Sequence, residues 1–195
     1  MTKVLEDFNI EIDENKVLKY FGYQKGFSSS EIPEWENTLS LARKTISPAV
    51  YNVVSKISSV NSKGIVQFDN NARFKDSILL ERLNEGQKGL FFLATLGLRL
   101  ESEISRFLQR GLYLEGMLLD AMSWVAIQDI IKNLKKTVSK KGTLDFTLIP
   151  GLKDFPLERQ RDIFRLFSHI KKEITITEYC MMVPKKSVSG IIIFH

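Results

Sequence analysis

The sequence Pro150-Gly151-Leu152-Lys153-Asp154-Phe155-Pro156 forms a short loop between two different hydrophobic patterns. Before the loop, apolar residues alternate as in a β-strand, and after it they recur at the spacing of an α-helix. Pro156 is at or near the first turn of this helix, where a missing N–H group is tolerated. Gly151 permits a tight turn or the close approach of a ligand to the backbone. The two patterns consist of Leu144, Phe146, Leu148 and Ile149 before the loop, and of Leu157, Ile163, Phe164, Phe167 and Ile170 after it.

The last part of the chain, residues 183–194, is rich in β-branched residues and predicts a returning strand. A strand, a glycine turn, a helix and a returning strand can place two loops side by side. Small residues and free backbone N–H groups in adjacent loops can hold a small polar molecule. We therefore expect a binding site where these two segments meet.

Length and composition fit a single domain, residues 1–195, with enough apolar residues (44%) to bury a core. No apolar run reaches the roughly 18 residues of a membrane span, and the N-terminus has no apolar signal core. Because Cys180 is the single cysteine, no internal disulfide can form, and we expect a cytoplasmic protein. The net charge of +5 is too small to argue for nucleic acid as a partner.

Apolar patterns in the rest of the chain predict an α+β fold, with helices packed on a mostly antiparallel sheet. The run at residues 90–96 is ambiguous by periodicity, and we favour a strand followed by a helix from about Glu101. The longest helical pattern, over residues 114–134, predicts a central helix on the sheet. The other predicted helices cover residues 10–22, with Asp13 as N-cap, and a segment opened by Pro33. The other predicted strands cover residues 50–60, 63–69 and 174–182, with a further apolar run at 78–83.

The sequence contains no recognisable catalytic or metal-binding motif. The two histidines, His169 and His195, are not spaced with Cys180 as metal ligands would be. Glu115 and Asp120 lie five residues apart on the predicted long helix, so they do not face each other as a catalytic pair would. A lysine cluster is either a solvated helix end or a docking patch for an acidic partner. It comprises Lys132, Lys135, Lys136, Lys140 and Lys141.

Five ordered segments together form a more specific pattern. They are residues 19–23 (Lys-Tyr-Phe-Gly-Tyr), 93–97 (Leu-Ala-Thr-Leu-Gly), 113–121 (Tyr-Leu-Glu-Gly-Met-Leu-Leu-Asp-Ala), 150–151 (Pro-Gly) with 154–158 (Asp-Phe-Pro-Leu-Glu), and 184–190 (Pro-Lys-Lys-Ser-Val-Ser-Gly). This ordered set spans almost the whole chain and resembles the activation domain of cobalamin-dependent methionine synthase. The length of the chain resembles the stand-alone bacterial form of that domain.

The resemblance implies a curved α+β domain with a twisted antiparallel sheet that binds S-adenosylmethionine. Domains of this family present the methyl group of that ligand to the cobalamin of methionine synthase after the cofactor has oxidised to cob(II)alamin. A flavodoxin-type donor supplies the electron. The implied partners are therefore a cobalamin-dependent methionine synthase and a flavodoxin. The implied role is to position a methyl donor during methionine biosynthesis, without catalytic residues of its own.

The implied ligand site lies between the loop at residues 147–154 and the strand at residues 187–190. The family's loop reads Arg-x-x-Pro-Gly-Tyr, and here a threonine stands at the arginine position and a leucine at the tyrosine position. Losing a guanidinium that grips the ligand's carboxylate costs on the order of 1.5–3 kcal/mol. A glutamine replaces a family glutamate on the long helix, which leaves backbone groups of the loop to bind the ligand. The candidate binding residues are Thr147, Ile149, Gly151, Leu152, Gln128, Ser187 and Ser189.

Two alternatives to this interpretation stay open. The missing arginine favours a chain that has lost S-adenosylmethionine binding and only docks a corrinoid protein or binds another small ligand. Replacing Thr147 by arginine should then raise the affinity only if the groove is otherwise intact. The lysine cluster would, in a third interpretation, dock an acidic flavodoxin through contacts that weaken as the salt concentration rises.

Overall fold

The computed structural model describes residues 3–5, 9–23, 26–75, 82–153 and 155–195. Within these residues the helices are α1 (Glu14–Tyr20), α2 (Trp35–Thr45), α3 (Leu98–Gln109), α4 (Tyr113–Ser139) and α5 (Arg159–Arg165), with a 3-10 turn at Ser29–Glu31. The strands are β1 (Lys3–Leu5), β2 (Ala49–Val60), β3 (Ile65–Phe68), β4 (Arg73–Lys75), β5 (Lys88–Thr95), β6 (Leu144–Leu148), β7 (Thr175–Ile176), β8 (Met182–Val183) and β9 (Ser187–Phe194).

All strand pairs among the described residues are antiparallel. The main sheet has the order β4-β3-β2-β5-β9-β6, and β1 pairs with β2 beside this path. β9 therefore lies between β5 and β6, where Ile191 is opposite both Phe91 and Leu148. The strands β7 and β8 pair separately with each other. The predicted α+β fold, with helices packed on a mostly antiparallel sheet, is confirmed.

The centre of the sheet is buried on both faces, which explains the uninterrupted apolar run at residues 90–96. Leu90, Phe92 and Ala94 of β5 pack in a cluster with α1, α2, α3 and α4. Phe91 and Leu93 point the other way, into a cluster that includes α5. A strand covered on both faces needs apolar side chains on both, so its sequence does not alternate. The strand interpretation of this run is confirmed, and α3 begins at Leu98, slightly before the predicted start.

The long helix α4 packs across the sheet, as predicted for a central helix. Most of its predicted apolar face is buried, but Leu114, Met117 and Trp124 are exposed, Trp124 to 46%. The helix contacts other helices as well as strands, and its apolar residues extend beyond the sheet-facing side. The 3–4 spacing therefore overestimates the buried stripe, because it cannot distinguish core positions from apolar positions that border a groove.

Three local predictions have different outcomes. Asp13 caps α1 as predicted, since its side chain accepts a hydrogen bond from the Lys16 backbone N–H. The continuous strand predicted at residues 174–182 is wrong, because this segment folds back as the hairpin of β7 and β8. In its turn Cys180 has a positive φ of 61°, and the Thr177 hydroxyl accepts from the Met181 N–H. Residues 78–81 of the apolar run at 78–83 lie outside the described residues.

Gly190 tests the tight packing of β9. A Cβ atom at this position would lie 2.7 Å from both the carbonyl oxygen of Leu148 and the ring of Phe92. We expect Gly190→Ala to lower the free energy of unfolding by about 1–3 kcal/mol, because the backbone oxygen cannot move without disturbing β6. Urea denaturation followed by circular dichroism measures this change.

The matched control is Ser187→Ala in the same strand. The Ser187 hydroxyl is buried and has no hydrogen-bond partner among the described residues, so its loss should not lower the free energy of unfolding. Equal stability of the two variants would contradict the close approach of β6 and β9 at Gly190.

Candidate functional site

A groove of about 330 Å³ opens between α4, the loop after β6 and the beginning of β9. The β7–β8 hairpin and α5 complete its walls. Trp124 on α4, Leu152 in the loop and Met181 in the hairpin all line the groove, and all three side chains are more than two-fifths exposed. Three large apolar side chains from three elements thus border one concave surface, as in a site for a small molecule.

The loop after β6 is held by its own backbone hydrogen bonds. The Gly151 N–H donates to the Phe155 carbonyl at 2.8 Å, and the Leu152 N–H donates to the Ile149 carbonyl at 3.0 Å. Gly151 has a φ of 82°, a backbone conformation that favours glycine, so the turn alone accounts for a glycine at this position. Two of the backbone groups expected to bind a ligand, the amides of Gly151 and Leu152, are therefore not free, because the tight turn uses both of them.

The floor of the groove contains a buried polar network. Gln160 on α5 donates from Nε2 to the Cys180 carbonyl at 2.8 Å, and its Oε1 accepts from the Ser189 hydroxyl at 3.2 Å. All three residues line the groove and are almost fully buried. This network connects α5, the hairpin and β9, so it holds three walls of the groove in one arrangement.

Most of the predicted binding residues lie together. Gln128, Ile149, Leu152, Ser187 and Ser189 line the groove, whereas Thr147 and Gly151 are not among its lining residues.

Thr147 lies on β6 opposite Ile192 of β9. Its hydroxyl oxygen is buried and has no hydrogen-bond partner among the described residues. At the position where the resemblance places an arginine, this chain thus has a short side chain with a buried hydroxyl. Ligand binding by any of the predicted residues stays a prediction.

Several groove residues were missed by sequence reasoning. Trp124 falls within the helical pattern at residues 114–134, which predicts a helix on the sheet, and Met181 and Met182 fall within the strand predicted at residues 174–182. Gln160 had a usable signal, because it falls at helical spacing with Ile163, Phe164 and Phe167. A polar residue at a core position needs buried partners, and those partners were not visible in the sequence.

The lysine cluster covers the C-terminal end of α4 and the two residues after it, beyond the residues of that helix that line the groove. Lys132 lies 3.7 Å from Asp129 and 3.9 Å from Glu11. Among the described residues, no group of three or more histidine, cysteine and acidic side chains could hold a metal ion. In the same residues, no helix has both the length and the apolar content for a membrane span.

The fold and the groove together define an α+β domain with a concave surface at the start of β9. The crystal structure of the MetH reactivation domain bound to AdoHcy matches this fold with a TM-score of 0.67. The match covers 100% of this chain and 78% of that chain at 13% sequence identity, so the two proteins share a fold. No protein-family model and no curated protein sequence matches the chain.

A substitution of Gln160 tests whether the polar network at the floor of the groove stabilises the protein. We expect Gln160→Met to lower the free energy of unfolding by about 1–3 kcal/mol, because the buried Cys180 carbonyl and Ser189 hydroxyl lose their partner. Urea denaturation measures the change. The control, Gln109→Met, alters an exposed glutamine at the end of α3 and should change stability by less than about 0.5 kcal/mol. Similar free energies of unfolding for both variants would show that the Gln160 network does not contribute to stability.

Proposed function

We propose that the groove binds S-adenosylmethionine and its demethylated form, S-adenosylhomocysteine. We further propose that residues 1–195 act as one accessory domain in the reductive reactivation of a cobalamin-dependent methionine synthase. The observation that carries this proposal is the likeness of fold, over the entire chain, to a reactivation domain whose crystal structure contains AdoHcy.

The position and size of the groove support the proposal. Its volume of about 330 Å³ is at the lower end of the roughly 300–1,000 Å³ that small-molecule pockets occupy. It lies between the loop after β6 and the start of β9, the two segments at which the sequence resemblance places the ligand. An open groove of this size would cover part of a nucleoside ligand and leave the rest accessible to a partner.

The chemistry of the lining residues also suits a nucleoside attached to an amino acid. Trp124 offers a half-exposed aromatic face, on which an adenine ring can stack. Gln128 offers an amide that can both donate and accept hydrogen bonds. These side chains would bind and orient the ligand, and the cobalt of the partner's cobalamin would accept the methyl group. A flavodoxin is the proposed electron donor.

A second candidate function is a domain that docks a corrinoid protein, or binds another small ligand, without binding S-adenosylmethionine. Two observations favour it: a threonine occupies the arginine position, and the amides of Gly151 and Leu152 are used within the loop. A ligand then has to be held mainly by side chains. The two candidate functions differ in whether the side chains of the groove are sufficient to bind S-adenosylmethionine.

Ligand binding can be followed through Trp124. Because Trp35 is 2% exposed and is not among the lining residues of the groove, a fluorescence change on addition of S-adenosylhomocysteine is expected to come from Trp124. Trp124→Ala should lower the affinity about two- to tenfold through the lost stacking. Trp124→Phe, as the control, should retain most of the affinity in calorimetry and lose the fluorescence change. The absence of both heat and a fluorescence change at millimolar ligand would contradict the proposed function.

The two candidate functions are separated by Thr147→Arg. If the groove accepts S-adenosylmethionine, a guanidinium able to reach the ligand's carboxylate should raise the affinity about tenfold, as measured by calorimetry. Thr147→Met adds a side chain of similar length without a charge and should give no gain. Absence of measurable binding to both the unmodified protein and the arginine variant would favour the second candidate.

A further inference from the structure

The groove contains one charged side chain among its described lining residues, that of Lys185. This side chain is exposed and precedes β9. No carboxylate of the described residues lies within ion-pair distance of its ammonium group, in contrast to Lys16, Lys132 and Lys186. The groove therefore presents an uncompensated positive charge next to a mainly apolar surface.

The adjacent residue, Lys186, is held elsewhere. Its ammonium lies 2.6 Å from the carboxylate of Asp120 on α4, and its backbone N–H donates to the carboxylate of Glu101 on α3 at 3.1 Å. These two contacts neutralise the charge of Lys186 and fix the backbone just before β9. Of two neighbouring lysines, one is thus bound to the protein and the other remains available to a ligand.

The hydroxyl groups of the groove show the same division. The Ser189 hydroxyl is hydrogen-bonded to Gln160 at the floor. The Ser187 oxygen is buried and has no partner among the described residues, although Ser187 lines the groove together with Lys185. A buried hydroxyl without a partner is energetically unfavourable, and a ligand oxygen would relieve that cost.

From this placement we propose that Lys185 and Ser187 bind the carboxylate of the ligand's amino-acid part. This inference rests on the proposed function, since it assumes a nucleoside ligand that carries an amino acid. A carboxylate that enters the groove loses part of its hydration and needs a cation and a hydrogen-bond donor in exchange. Lys185 supplies the cation and Ser187 the donor. The carboxylate is thus recognised from the β9 side of the groove, whereas position 147 on β6 carries a neutral, packed side chain.

The experiment compares S-adenosylhomocysteine with decarboxylated S-adenosylhomocysteine, which keeps the adenosine, the sulfur and the amine. Calorimetry on the unmodified protein should show about tenfold tighter binding of the intact ligand. Lys185→Met should remove about this factor for the intact ligand and leave the affinity for the decarboxylated ligand within about twofold. Lys185→Arg should restore the preference, because a guanidinium also binds carboxylates.

The control variant is Lys186→Met, which removes a neighbouring ammonium that is already paired with Asp120 and should preserve the preference for the intact ligand. The inference is overturned if Lys185→Met weakens both ligands equally or neither, or if the preference is lost in Lys186→Met. It is also overturned if the unmodified protein binds both ligands equally well, a result that leaves the proposed function intact. Absence of binding of either ligand to the unmodified protein overturns the proposed function and the inference together.

Discussion

The insertion of β9 between β5 and β6 is the constraint on which the rest of the structure depends. Both edges of β9 are hydrogen-bonded, and its two faces supply side chains to the two apolar clusters on opposite sides of the sheet. The close approach at Gly190 sets its distance from β6. Because β9 starts at the groove, its pairing with β5 also positions Ser187 and Ser189 in the groove, where Ser189 bonds to Gln160 of α5.

The groove consists of side chains arranged over a satisfied polar floor. Gln160 joins α5 to the β7–β8 hairpin and to β9, and the loop after β6 is closed by its own backbone bonds. Polar groups that are satisfied within the protein stabilise the shape of a site and offer little to a ligand. The lining groups that we propose for recognition are the aromatic ring of Trp124, the amide of Gln128, and the polar ends of Lys185 and Ser187.

A shared fold does not require a shared way of holding a ligand. The chain matches the MetH reactivation domain over its full length at 13% identity, so the backbone arrangement is common while most side chains differ. Where the resemblance places an arginine on β6, this chain has a threonine whose hydroxyl is buried. The uncompensated cation of its groove comes instead from the segment before β9, because Lys186 is neutralised by Asp120 and Lys185 is not.

Local patterns in the sequence were sufficient for the α+β fold, the N-cap at Asp13, the strand at residues 90–96 and the long helix. These features depend on which faces of a segment are apolar, and that information lies in neighbouring residues. The positions of Ser187 and Gln128 in one groove were also anticipated, although from resemblance and not from periodicity.

The tertiary structure alone decided the hairpin of β7 and β8, the outward position of Trp124 and the use of the loop amides. It also decided the partners of Gln160, one of which is 29 residues away along the chain. The partner of a buried polar group is set by whichever residue the fold brings within hydrogen-bond distance, and local sequence does not encode that distance. For the same reason, the adjacent residues Lys185 and Lys186 differ in the folded protein: Lys186 is paired with Asp120, and Lys185 has no ion-pair partner among the described residues.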